Sequence, residues 1–365
     1  TTATSALYNI PPYYFGYSVL VGPGANLRGA NLTGVDFTNV NFGTIDLTNA
    51  VFTSSNLSGA QMTNATLTGV RSGGVTASSA TLLPAGWGVG NGYLVGQGAY
   101  LKDGNGNPAN LSSTNLGSVN LSTMDLRGIS FQHASMTGAN LSGANLSGVD
   151  LSSSNLGGAG LSNASLAGAN LTAANLSSAA LTGADLTNAA MGQTTLNSAN
   201  LHQANLNAAS LAGATGTNVS SGAIAGTPAS LPSGWSLLSG YLVAPHANLS
   251  SASFSGASWQ GLNLVGVNLT NARLTGMDLT DADLQGAVIA NAVFNGSNLT
   301  RTNLSGSTNA TGSQFINSDL TGANFSTGSG NASSVYARWV QSGNTYSGTY
   351  CPNGSPVTGT PCPSY

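Results

Sequence analysis

From Ala139 to Leu211 a large apolar residue returns at every fifth position, as at Leu141, Leu146, Leu151, Leu156, Leu161 and onward through Leu181, Met191 and Leu201. Two residues before each sits a small one, usually alanine. Between them stands Asn, Asp or Ser, and the two residues that follow are often Ser-Gly, Thr-Gly or Thr-Asn. A period of five matches neither the 3.6 of a helix nor the 2 of a strand. A helix would spread these leucines around its circumference and would carry Gly, Asn, Ser and Thr throughout, all poor helix formers. A short extended piece followed by a corner does satisfy the period. The small residue and the leucine, two apart, point inward, and the polar residue between them points outward. The last two residues turn the corner, where Gly and Asn supply the backbone angles.

Repetition at a fixed period is the mark of a solenoid. The unit Ala-(Asp/Asn)-Leu-x-x resembles the repeat of the pentapeptide-repeat family, over roughly three quarters of the chain. The resemblance implies an all-β fold, a right-handed quadrilateral parallel β-helix of about twenty residues per coil. Coils would stack at the roughly 4.8 Å spacing of hydrogen-bonded strands. On that reckoning Leu141, Leu161, Leu181 and Leu201 form one core ladder. Leu27 lies under Leu47 and Leu67, and Phe42 under Met62. Asp281 and Arg301, both at the second corner position, become neighbours on adjacent coils; such an exposed pair tests geometry rather than stability.

The beat divides the chain. Residues 1–24 lack it and hold Tyr8, Ile10, Pro11, Pro12, Tyr13, Tyr14 and Phe15. A β-helix end exposes unpaired backbone, so this aromatic segment is either a cap or a docking element for self-assembly. Repeat blocks are expected over 25–70, 99–211 and 247–327, separated by lead-ins at 71–98 and 212–246. The lead-ins are near copies: Leu83-Pro84-Ala85-Gly86-Trp87 with Gly92-Tyr93-Leu94-Val95, and Leu231-Pro232-Ser233-Gly234-Trp235 with Gly240-Tyr241-Leu242-Val243. Ser18-Val19-Leu20-Val21-Gly22 is a fainter version. Each reads as an inserted hairpin that bulges from the coil around a Gly-bearing turn. Its Trp either packs on a wall or forms a sugar-stacking platform. The register slips near Asn309 and resumes at Phe315.

Residues 328–365 form a Gly-, Ser- and Tyr-rich tail ending in Cys351 and Cys362. A disulfide between the two is expected, with free thiols as the alternative, and it favours an extracellular compartment. Cys351-Pro352-Asn353-Gly354 resembles the Cys-Pro-Asp-Gly tails of some secreted bacterial pentapeptide-repeat proteins, which implies a pinned C-terminal cap. The first residue is Thr1 rather than Met, which suggests a processed, secreted protein.

Charge then narrows the function classes. Charged residues make up 5% of 365, with net charge −3, no Glu, and Lys102 as the one lysine. A nucleic-acid binder needs a basic stripe, and none is visible. No apolar run is long enough to span a membrane. Asp103, Asn105 and Asn107 alternate like a calcium loop, but Pro108 and Thr114 stand where that loop needs Gly and Glu. His133, His202 and His246 are scattered, and no acid–base pair is apparent. No enzyme activity, cofactor or metal is therefore expected. The Asn-x-Ser/Thr sequons follow automatically from the repeat.

Three function classes remain. One is a neutral structural solenoid that self-associates into a filament, sheath or surface layer, as a homo-oligomer. The second is an adhesive, carbohydrate- or ice-binding surface. The third, implied by the family resemblance, is a DNA mimic acting on gyrase; ten Asp residues are sparse for imitating phosphates spaced about 1.7 Å apart.

Overall fold

The computed structural model describes residues 6–8, 19–21, 26–103, 105–326, 340–342, 344–345 and 349–351. The chain forms two compact units, Thr1–Thr195 with Asn205–Leu211, and Leu196–Ala204 with Ala212–Tyr365. No helix occurs among the described residues.

In the first unit, parallel bridges join residues one coil apart: Asn140↔Gly160, Asn145↔Ser165, Asp150↔Asn170 and Asn155↔Asn175. Four successive pentapeptides therefore each pair with the pentapeptide above, which gives a coil four faces. Each contact is brief because the extended piece is brief. The Leu141 N–H donates to the Gly160 carbonyl at 2.7 Å, and the Gly160 N–H donates to the Ala139 carbonyl at 2.9 Å. The Ala144 N–H closes the corner on the Leu141 carbonyl at 3.0 Å.

The second corner residue is left-handed, with φ of 65° at Gly143 and 68° at Gly148. The structure extends this beyond Gly and Asn. Ala173, Ala208 and Thr123 take φ of 58°, 55° and 60°. Stacked neighbours on both sides hold these residues where a Cβ is disfavoured.

The core is the inside of the coils. Leu141, Leu161, Leu181 and Leu201 are fully buried, and each such side chain contributes about 1.5–3 kcal/mol before entropy is charged against it. In the first block phenylalanines take leucine positions. Their rings stay in contact, with Phe37 5.1 Å from Phe42 and 5.9 Å from Phe52, in tilted and edge-on arrangements.

The lead-ins sit within the coil rather than apart from it. Bridging continues through the segment where the sequence loses its beat: Val51↔Arg71, Asn56↔Thr76, Gln61↔Leu82 and Arg71↔Tyr100. After Leu82 the strands Gly88–Gly90 and Tyr93–Val95 pair antiparallel. Leu94 and Val95 of this hairpin are buried in the core. They have room because Ser72 stands at the position of the missing leucine, and its Oγ accepts the Leu94 N–H at 2.8 Å. Gly96 is required here: a Cβ would lie 2.3 Å from the Trp87 indole, which leans half-buried on the core.

The same device recurs in the second unit. Strands Ser236–Leu238 and Tyr241–Val243 pair antiparallel, Leu242 and Val243 are buried, and the Leu242 N–H donates to Ser221 Oγ at 2.9 Å. Trp235 and Tyr241 pack against that core. Near the start of the chain, Ala6–Tyr8 and Val19–Val21 also pair antiparallel; the sequence carried only a faint trace of this hairpin.

The register slip in the second unit is a coil lengthened by one residue. Asn248↔Asn268↔Val288 gives way to Val288↔Asn309, Val293↔Gln314 and Asn298↔Asp319. The ladder then continues into the C-terminal segment. Gln314–Ile316 pairs in parallel with Val340–Ser342, Asp319 bridges Thr345, and Asn324 bridges Tyr350. The described part of the tail thus adds backbone pairing to the last coil.

Candidate functional site

The polar residue before each leucine does more than face water. Asn140 Oδ1 accepts the Ser142 N–H at 3.1 Å, and Asp150 Oδ1 accepts the Ser152 N–H at 3.0 Å, so the side chain closes its own corner. At several places where Asn stands one coil from Asp or Asn, its amide also reaches across. Asn170 Nδ2 donates to Asp150 Oδ1 at 3.1 Å, Asn175 Nδ2 to Asn155 Oδ1 at 3.0 Å, and Asn303 Nδ2 to Asp283 Oδ1 at 2.9 Å. Sequence reasoning missed these ladders. The available signal was the preference for Asn, which accepts and donates, over Ser at that position.

Such walls are satisfied and nearly neutral. Three ion pairs lie on them: Arg28 with Asp46 at 2.9 Å, Arg127 with Asp125 at 2.7 Å, and Arg301 with Asp281. The last pair is bidentate, with Nε–Oδ1 and Nη2–Oδ2 both 2.6 Å, so the two residues do meet across adjacent coils.

Hydrogen bonds from Thr48, then Arg28, hold the Asp46 carboxyl down at about 2. Those from Arg127 do the same for Asp125, also at about 2. The Arg301 guanidinium lowers Asp281 as well. These groups bind protons less readily folded than unfolded, so their stabilisation is complete above the ordinary value of 3.8 and lost as pH falls towards 2. Melting temperature is expected to decline only below a pH of about 4. Thermal unfolding followed across acid pH checks this, and a decline already under way above pH of about 5 would contradict it.

The remaining candidate residues are not gathered into a site. His133 and His246 lie at left-handed corners, with φ of 58° and 55°. The carboxylate of Asp103 is used by its own turn: Oδ1 accepts the N–H groups of Asn105 and Asn107, both at 2.8 Å, and Oδ2 accepts Asn107 Nδ2 at 2.9 Å. Among the described residues no His, Cys, Asp and Glu cluster could hold a metal. No helix among them is long and apolar enough to cross a membrane. Cys351 is buried; Cys362 lies outside the described residues, as do Ile10, Tyr13, Tyr14 and Phe15. Tyr8 belongs to the first N-terminal strand.

One further feature is the edge of the first coil. On the second coil the N–H groups of Val51, Asn56 and Gln61 donate to the carbonyls of Ala30, Val35 and Val40 at 2.9, 3.0 and 2.8 Å. Their counterparts one coil earlier, on Asn31, Asp36 and Asn41, meet no backbone acceptor among the described residues. Three faces of the first coil thus carry backbone donors that meet no backbone acceptor among the described residues.

A family model described as pentapeptide repeats matches in eight copies, over residues 23–48, 30–69, 109–148, 150–188, 174–213, 247–286 and 278–308, together more than half of the chain. Among solved structures, the chain is similar to HetL, a pentapeptide repeat protein involved in heterocyst differentiation regulation from the cyanobacterium Nostoc. Identity is 23% over 91% of this chain and 92% of that one, with a TM-score of 0.30. QnrB1, a plasmid-mediated fluoroquinolone resistance protein, is 15% identical over 56% of this chain and 92% of that one, with a TM-score of 0.28. A pentapeptide repeat protein of the Arabidopsis thaliana thylakoid lumen is 30% identical over 28% of this chain and 68% of that one, with a TM-score of 0.16. No curated protein sequence shows significant similarity.

Proposed function

Because the chain belongs to the pentapeptide-repeat family, we propose that it is a right-handed quadrilateral β-solenoid with a structural, non-catalytic role, an extracellular protein that joins copies of itself end to end into a filament, sheath or surface layer. The observation that carries this reading is the edge of the first coil, where Asn31, Asp36 and Asn41 offer N–H groups without backbone acceptors among the described residues. Sheet edges of this kind pair with other strands unless they are blocked. A contact between unlike ends does not close on itself, so it propagates into a filament.

Composition supports the same reading. With 5% charged residues, neither like-charge repulsion nor costly desolvation of charges opposes the joining of neutral surfaces. Two cysteines, Cys351 and Cys362, in a chain otherwise free of them suit an oxidising compartment, where they would form a disulfide.

Purified protein is expected to form filaments or ordered arrays in negative-stain microscopy. The double variant Asn31→Lys with Thr38→Lys sets charges at the edge, as natural sheets do. It is expected to give single particles with an unchanged circular dichroism spectrum. Wild-type protein that remains monodisperse by light scattering at high concentration would contradict assembly.

A further inference from the structure

The first unit contains a cleft of about 510 Å³ where the hairpin Gly88–Val95 meets the coil, lined in part by Ser54, Arg71, Tyr93, Tyr100 and Lys102. The whole chain has seven Lys and Arg residues, and two of them lie here. The Arg71 guanidinium carbon sits 4.3 Å from the centre of the Tyr100 ring. A guanidinium stacked in this way keeps the donors along its edge free for a carboxylate. Neither Arg71 nor Lys102 belongs to the ion pairs found among the described residues. One carboxylate, Asp103, also lines the cleft; its oxygens are taken up by Asn105 and Asn107 of its own turn. The nearby Asp125 is held in a bidentate pair by Arg127 and meets Lys102 only through its longer-range charge.

The second unit provides an internal control. It repeats the device with one residue fewer between serine and hairpin, with Ser221 for Ser72, Tyr241 for Tyr93 and Leu242 for Leu94. The bridge Arg71↔Tyr100 has its counterpart in Ser220↔Asn248. Two residues on, Lys102 is matched by Ser250. The same hairpin and bridge therefore form with Ser, Asn and Ser where the first unit has Arg, Tyr and Lys. Folding does not call for the two cations and the ring that shelves one of them.

We propose that this cleft binds an acidic saccharide, a uronic-acid-bearing oligosaccharide. Arg71 and Lys102 meet its carboxylate, the half-buried Tyr93 offers a face for a pyranose ring, and Ser54 with the backbone of Gly73 and Gly74 meets hydroxyls. The cleft is larger than a lone phosphate needs, and an aromatic face adds nothing to phosphate binding. This site goes beyond the assembly reading and does not depend on it, since a single copy of the chain holds the whole cleft.

The test is titration calorimetry of the full chain with a galacturonic-acid oligomer, a neutral gluco-oligomer of equal length, and inorganic phosphate. The acidic oligomer is expected to bind, the neutral one far more weakly, and added salt to weaken the acidic complex. Arg71→Ser and Lys102→Ser, the residues that the second unit carries, are each expected to weaken binding by at least about tenfold, since each removes a charge-assisted hydrogen bond. Their thermal unfolding should match wild type. Equal binding of acidic and neutral oligomers overturns the proposal, as do unchanged affinities in both variants or absence of binding. Phosphate bound as tightly as the oligomer reduces the cleft to a simple anion site and also overturns it.

Discussion

Truncating Leu161 to alanine will lower the unfolding free energy by about 2–5 kcal/mol. Leu161 is fully buried in the ladder that also holds Leu141 and Leu181. Part of the loss is the transfer of the missing carbons, and part is the void they leave. The void cannot close easily, because the backbone at this level is pinned on both sides by the bridges Asn140↔Gly160 and Gly160↔Ala180. A solenoid wall held by hydrogen bonds along its length yields less than a loop would. Denaturant unfolding checks this against two controls. Leu161→Met keeps most of the volume and should cost under about 1.5 kcal/mol. Ser162→Ala on the outer wall should stay within about 0.5 kcal/mol. Equal losses for Leu161→Ala and Ser162→Ala would mean that the ladder does not line the core.

The second large effect runs against the consensus. Ser72 stands five residues after Leu67, where the repeat asks for leucine, and restoring it as Ser72→Leu is expected to destabilise the first unit. The space is already filled by Leu94 from the hairpin, buried in the same core as Leu67 and Val70. A second leucine overpacks it, at a cost of about 1–3 kcal/mol. The substitution also removes the acceptor of the buried Leu94 N–H, adding about 1–3 kcal/mol for an unsatisfied donor. Ser221→Leu should behave alike in the second unit, against Leu242. Ser72→Ala separates the two contributions, since it loses the acceptor without adding volume. Hydrogen exchange at the Leu94 amide reports the hairpin directly. Unchanged or raised stability in Ser72→Leu would show that the hairpin does not occupy the leucine's place.

The two units differ in what surrounds the same hairpin, and that difference is chemically specific. Around Tyr241 the rings continue inward, with Phe254 at 4.9 Å and Trp259 a further 4.6 Å on. Around Tyr93 the additions are cations and a second tyrosine on the outside. One copy spends its variation on packing and the other on a surface.

The five-residue beat determined, without a structure, which residues face the core and that the architecture is a coil; the coil length, and so which residues meet one coil apart, was implied by the family resemblance. The reason is that these relations repeat: each leucine sees the same neighbours at the same spacing, so the pattern is written many times over in the sequence itself. The meeting of Asp281 with Arg301 follows once the twenty-residue coil implied by the family resemblance is added to that spacing. What only the tertiary structure decided lies where the repeat breaks. Ser72 and Ser221 read as lost beats until Leu94 and Leu242 are seen to fill their places. Arg71 and Lys102 read as isolated charges until the hairpin brings them to one cleft with Tyr93. The left-handed corners at Ala173 and Thr123 carry no local signal, because the coils above and below impose them. Contacts made once, between residues of no fixed separation, leave no period to read, and they exist only after the chain has closed around them.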